Sequence, residues 1–224
     1  MAMTLCLVMA LFTPETVDRD AAMASPRRFA LRPCAGALFG WASALGFFSF
    51  ALLGLVSSLG AIILRSSLDI SSHLIAGIAP FAMFAAVAQL VLGRLRTELM
   101  TIVGAITFST GLGLTALSLY EPVLWLFLLA VSVAGAGAGA LFKSGIARAG
   151  ESAMDTSRAG VLAVYFVAGY VGIGLPSILF SVVVTRVAIG PAMIGFSLTL
   201  SAGALIAVTL LHRAEARRDL HPAE

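Results

Sequence analysis

Charge is scarce in this sequence. Only 11% of its 224 residues are Asp, Glu, Lys or Arg, against about 25% in an ordinary soluble domain. So few polar groups cannot cover a soluble globule of this length. Ionisable residues are also missing from the middle of every long apolar run, where they would mark ion or proton pathways. A proton relay carried by this chain alone is therefore not expected. Histidine is equally sparse: His73, His212 and His221 lie outside the runs, and no H-E-x-x-H occurs. No ligand cluster for a catalytic metal follows from that. Ser49, Ser109, Ser132, Ser181 and Ser197 sit within runs, but none has a histidine in a run to activate it. The chain reads as a non-enzyme with no cofactor implied. Cys6 and Cys34 are the only cysteines, and Cys34 falls in an Arg-rich segment. They read as free thiols rather than a disulfide framework. No cluster of bases lies on a polar stretch, so no nucleic-acid partner is expected.

What the sequence has is apolar length. Apolar residues make up 60% of it, and its mean hydropathy is +1.03. A membrane span needs roughly 20 apolar residues. Six runs reach that: 36–64, 74–93, 99–120, 123–142, 159–185 and 187–211. The segments around them hold four, one, two, none, three, one and three basic residues in order, so alternate segments carry twelve and two. Basic residues stay on the cytoplasmic side. The pattern predicts six spans in a cell membrane with both ends cytoplasmic. It divides the chain into an apolar helical segment at 1–12, a cytoplasmic loop at 13–35, a six-helix transmembrane bundle at 36–211 and a cytoplasmic tail at 212–224. Met1–Phe12 is too short to span and lacks the basic flank of a signal peptide. It reads as a short interfacial helix or as the tail of a preceding helix.

Small residues and prolines punctuate the runs. Ala134 to Ala140 alternates Ala and Gly, with Gly135 and Gly139 on one helical face and Gly137 between them. Such a run permits close helix packing; the alternative is a hinge. Pro176, after Gly172, interrupts the fifth run, and Pro80 the second. If runs one to three and four to six are inverted repeats, these two helices are equivalents. Interrupted helices in corresponding repeats point to a transport path.

Four stretches together resemble the C-terminal six-helix half of a major facilitator superfamily transporter. Pro14-Glu15-Thr16-Val17 is similar to the motif that follows the sixth helix of such carriers. Gln89 to Arg96 looks like the end of the eighth helix and its basic turn. Ala134 to Phe142 looks like the glycine-rich tenth helix. Arg158 through Pro176, with Tyr165, Tyr170 and Gly172, looks like the eleventh helix. The resemblance implies an all-α membrane protein with six transmembrane helices as two three-helix inverted repeats. It implies alternating-access transport of a small solute bound between two bundles, by a permease or efflux carrier. Met1–Phe12 would then be the last turns of the sixth helix. The first half of the family fold is absent, and Gly93–Glu98 keeps only Arg94 and Arg96 of the family's signature basic loop. A second six-helix bundle, as a separate chain or a second copy, is therefore the expected partner beside the lipid bilayer and the solute. Ser49, Gln89, Tyr165 and Tyr170 are the candidates to face the solute; ordinary hydrogen bonding between helices is their other reading. Arg94, Arg96 and Arg158 are candidates to close the cytoplasmic face, or simply to anchor it. A cavity without ionisable groups would suit an uncharged or hydrophobic solute. The competing role is a truncated or non-transporting subunit that acts by helix packing.

Overall fold

The computed structural model describes residues 29–33, 35–67, 78–91, 94–120 and 123–220. Cys6, Cys34, the Pro14–Val17 motif and the segment 1–12 lie outside these residues. The described chain is helical: α1 (Gly36–Ser67), α2 (Ile78–Val91), α3 (Thr97–Leu117), α4 (Leu124–Ser152), a 3-10 turn (Asp155–Ser157), α5 (Arg158–Val183) and α6 (Ile189–Leu220). No strand occurs among the described residues beyond one isolated bridge, Leu31 to Ala153. Five helices are long and apolar enough to cross a membrane; the apolar helix at Ala82–Val91 is shorter. Part of the second apolar run falls outside the described residues. The molecule is a multi-pass bundle of the kind a bilayer accommodates, because a helix pairs the backbone polar groups of its interior within itself.

Short links make successive helices antiparallel. The starts of α1, α3 and α5 therefore share one end with the finishes of α2, α4 and α6. That end carries Arg32, Arg94, Arg96, Arg148, Arg158, Arg213 and Arg217, whereas the opposite end has Arg65 and Arg186. We call it the basic end. α2, α4, α1 and α5 abut in that order as one layer; α3 lies against α4 and α6, and α6 against α1 and α3. The core between the layers is made of Leu45, Leu52, Phe108, Leu112, Leu141 and Met193, all essentially inaccessible.

Glycine sets the closest approaches. A Cβ on Gly137 would strike the Phe108 backbone of α3, and one on Gly111 the Ala134 backbone of α4. Gly104 sits on Ala140, so α3 and α4 interdigitate over two turns. Gly139 faces the Ala85 backbone of α2 instead. Gly137 and Gly139 thus serve opposite neighbours, and Gly135 is buried. This arrangement is packing rather than a free hinge. Gly172 lies on the Phe47 carbonyl, joining α5 to α1.

Three sequence expectations change. α4 continues to Ser152, ten residues past the expected end of its run at Phe142. α6 continues to Leu220, so most of the segment read as a tail is helix. Pro80 lies in the first turn of the described part of α2, whereas Pro176 lies in the last third of α5. Inverted repeats align along the chain, so positions at the same membrane depth are not repeat equivalents. The two prolines do not correspond, although Pro176 is buried inside its helix.

Candidate functional site: an open aromatic face and a buried ion pair

The layer α2–α4–α1–α5 has one side against α3 and α6 and one side uncovered. Phe48 of α1 meets Gly203 of α6. Phe50, two residues on and so about 200° round the helix, points the other way. There it begins a row of rings. Phe50 packs against Phe142 of α4 at 5.6 Å and against Tyr170 of α5 at 6.1 Å, and Phe142 packs against Phe166 at 6.1 Å. The edge-to-face and tilted geometries suit the ring quadrupoles. Phe50, Phe142 and Phe166 are half-buried, and Tyr170 is 66% exposed. α5 is the least covered spanning helix, with 22% of its apolar window buried.

Beneath the row, Tyr165 is fully buried. Its hydroxyl donates to the Phe142 carbonyl at 3.1 Å, and its ring fills the spaces left by Gly46 and Gly145. Tyr165 therefore pins α5 to α1 and α4 and is not free to meet a solute. Ser49 is likewise spent: it is buried, and its hydroxyl donates to the Leu45 carbonyl one turn back at 2.8 Å. Gln89 is half-buried near the end of α2, where its backbone carbonyl accepts a 2.7 Å hydrogen bond from the Lys143 ammonium. Of the four expected solute-facing residues, Tyr170 stands open on the face.

The basic end holds a group that sequence reasoning missed. Arg148 is 1% exposed. Its Nε donates to Glu215 of α6 in a close ion pair, Nη2 reaches the second Glu215 oxygen at 3.4 Å, and Nη1 donates to the Thr101 hydroxyl of α3 at 2.8 Å. Thr101 passes its own proton to the Thr97 carbonyl at 2.7 Å. One guanidinium thus ties together the ends of α3, α4 and α6. The signal was present in the sequence: Ser144, Gly145, Arg148, Ala149 and Ser152 continue the buried face of α4 at helical spacing beyond its apolar run. Arg96, Thr97, Glu98 and Glu151 join the pair around an open cleft of about 240 Å³. Arg96, one of the three arginines expected at the cytoplasmic face, lines this cleft. Arg94 is exposed on its 3-10 turn, and Arg158 is exposed with its guanidinium over Gly150.

A strap crosses the same end. The Arg32 amide donates to the Ser152 carbonyl at 2.9 Å, and the Met154 amide donates to the Ala30 carbonyl at 3.2 Å. Arg32 Nε adds a bond to the Ala153 carbonyl at 2.9 Å. The chain before α1 is thereby fastened to the α4–α5 corner.

No protein-family model, curated protein or solved structure matches the chain.

Proposed function

We propose that this chain is one six-helix bundle of an alternating-access carrier for a small solute, of the major facilitator kind. The helix packing carries the reading. Exchanging α1 with α4, α2 with α5 and α3 with α6 turns each substantial helix contact into another that is also made, apart from the slight touch of α5 on α6. α1–α5 becomes α4–α2, and α1–α6 becomes α4–α3, while α1–α4 and α3–α6 map onto themselves. Equivalent helices three apart run antiparallel, as an inverted repeat requires. Such a repeat places its solute where the open layer meets a second bundle. The partner bundle, from another chain or a second copy, covers α5 and Tyr170 in this reading. The twelve-to-two division of basic residues puts the basic end in the cytoplasm. The Arg148–Glu215–Thr101 tie then holds α3, α4 and α6 as one body at the cytoplasmic mouth.

The test is flux. Vesicles holding the chain alone are expected to take up no solute in a broad screen. Vesicles from cells that co-express a complementary six-span chain, or that hold an enforced dimer, are expected to show saturable uptake. Saturable uptake by a proven monomer sinks the half-carrier reading.

A further inference from the structure

We infer that the crevice between α5 and α6 seats one hydrocarbon chain of a membrane lipid. The inference goes beyond the carrier reading and needs only that the bundle lie in a bilayer. α5 and α6 both rest on α1 but barely touch each other. Where they part, a cavity of about 250 Å³ remains. Phe47 and Phe48 of α1 form its floor, Pro176 and Leu179 of α5 one wall, and Phe196 and Thr199 of α6 the other. The rings already have partners of their own. Phe47 meets Phe48 edge to face at 5.4 Å, and Phe196 meets Phe180 at 5.1 Å.

Nothing in the lining asks for a polar guest. Among the described residues, no charged group lines the crevice. Its single hydroxyl, Thr199, spends its proton on the Gly195 carbonyl at 2.8 Å, and a proline has no amide proton to offer. Such a cavity does not hold water, and left empty it forfeits dispersion contacts along its walls. Depth and direction identify what fills it. Pro176 lies seven residues before the end of α5, and Thr199 ten after the start of α6. The crevice therefore sits about 10–15 Å below the end opposite the basic end, within a hydrocarbon core about 30 Å thick. Leu175 and Leu179 at its rim are 48% and 50% exposed, so it opens sideways into that core. The partner bundle proposed above does not close it. Tyr170 marks the face that bundle covers, and Leu175, five residues on, lies about 140° round the helix. A lipid anchored at the nearby interface delivers its chain to this depth. A free apolar molecule must displace that chain, which is present at solvent concentration.

The experiment weighs the full chain, taken from phosphatidylcholine vesicles into mild detergent, by native mass measurement. One phospholipid retained per chain is expected. Thr199→Phe sets a ring in the crevice at an exposed position and is expected to lower the retained fraction roughly tenfold or more, the scale of overpacking. Ile178→Phe, 65% exposed and about 200° round the helix from Pro176, should leave retention unchanged. Circular dichroism checks that each variant keeps its helices. Returning phosphatidylcholine to the micelles should raise the denaturation midpoint of the native chain, as a ligand of the folded state does, and should not raise that of Thr199→Phe. A phosphatidylcholine with a photoreactive group midway along one chain should cross-link to the native protein over 175–179 and 196–200 more than at Ile106, which is exposed on α3. That arm uses no variant, so it decides even where Thr199→Phe fails to fold. Absence of retained lipid, equal retention by Thr199→Phe, or cross-links spread evenly over exposed positions overturns the inference. So does a retained mass that is not a lipid, or loss of the lipid to equimolar decane, which would make the occupant a free apolar molecule.

Discussion

At the scale of single residues, Arg148 has the most to lose. A guanidinium buried to 1% is tolerated because Glu215 and Thr101 answer it. Removing one member strands the other, and a buried charge without its partner costs about 3–5 kcal/mol. Glu215→Gln is therefore expected to destabilise the bundle strongly, read as the shift in its denaturation midpoint in detergent. Replacing both, Arg148→Met with Glu215→Leu, should recover much of that loss, so the double-mutant cycle gives a large coupling energy. By contrast, Asp155→Asn should shift the midpoint little. Its partner Arg32 is 47% exposed and the aspartate 96% exposed, and such surface pairs contribute about 0–1 kcal/mol. Sequence reading favoured Arg94, Arg96 and Arg158 over Arg148 because it ended the fourth helix with its apolar run. A helix that leaves the apolar slab can keep a buried face made of small residues and one satisfied charge, and hydropathy does not register that.

At the scale of elements, the helices were legible and their partners were not. Runs of apolar residues place four of six helices to within a few positions, because backbone satisfaction and span length act locally, whereas α4 and α6 continue nine or ten residues past their runs. Which face meets which neighbour depends on small residues in two helices at once. The Ala-Gly alternation of α4 announced close packing, but its counterparts Gly104 and Gly111 on α3 carry no pattern of their own. They define a prediction with an internal control. Gly111→Leu and Gly137→Leu push bulk into a facing backbone and are expected to cost at least about 1–3 kcal/mol, as overpacking does. Gly113→Leu, two residues from Gly111, meets nothing within 4 Å and should leave the midpoint close to that of the native chain. Equal effects at Gly111 and Gly113 would mean that α3 does not lie on α4 as described.

At the scale of the whole molecule, the bundle is lopsided. One layer is backed by α3 and α6, and its other side presents α5 with Val167, Tyr170 and Ile178 each more than half exposed. Lipid or a second bundle covers that side, and the two covers are separable. Single cysteines at Val167 and Ile178 are expected to cross-link to a co-expressed partner bundle, whereas a cysteine at Leu198 on α6 should react with lipid-soluble reagents alone. Reporter fusions at Ser72 and Glu121 are expected outside and fusions after Arg218 inside. A cytoplasmic report from Glu121 would reverse the orientation. The charge count on which the proposed orientation rests is read from the sequence alone, because it needs no tertiary contact. The aromatic face was half readable: Tyr165 and Tyr170 stood out together, yet only packing tells that one is a pin and the other a surface.

The strap at Ala30 and Arg32 has a consequence for synthesis. Its bond from Arg32 to Ala153 joins residues 121 positions apart. Chains emerge at about 5–20 residues per second, so the earlier residue waits roughly 6–24 seconds for its partner. With the proposed orientation, four helices must be inserted through that interval while the strap's amides are hydrated on the side of the membrane where translation proceeds. Closure is then a timestamp: it cannot precede the fourth helix. In arrested nascent chains, the Arg32 amide should exchange freely with solvent when translation stops before Ser152, and become protected once the α4–α5 corner has emerged.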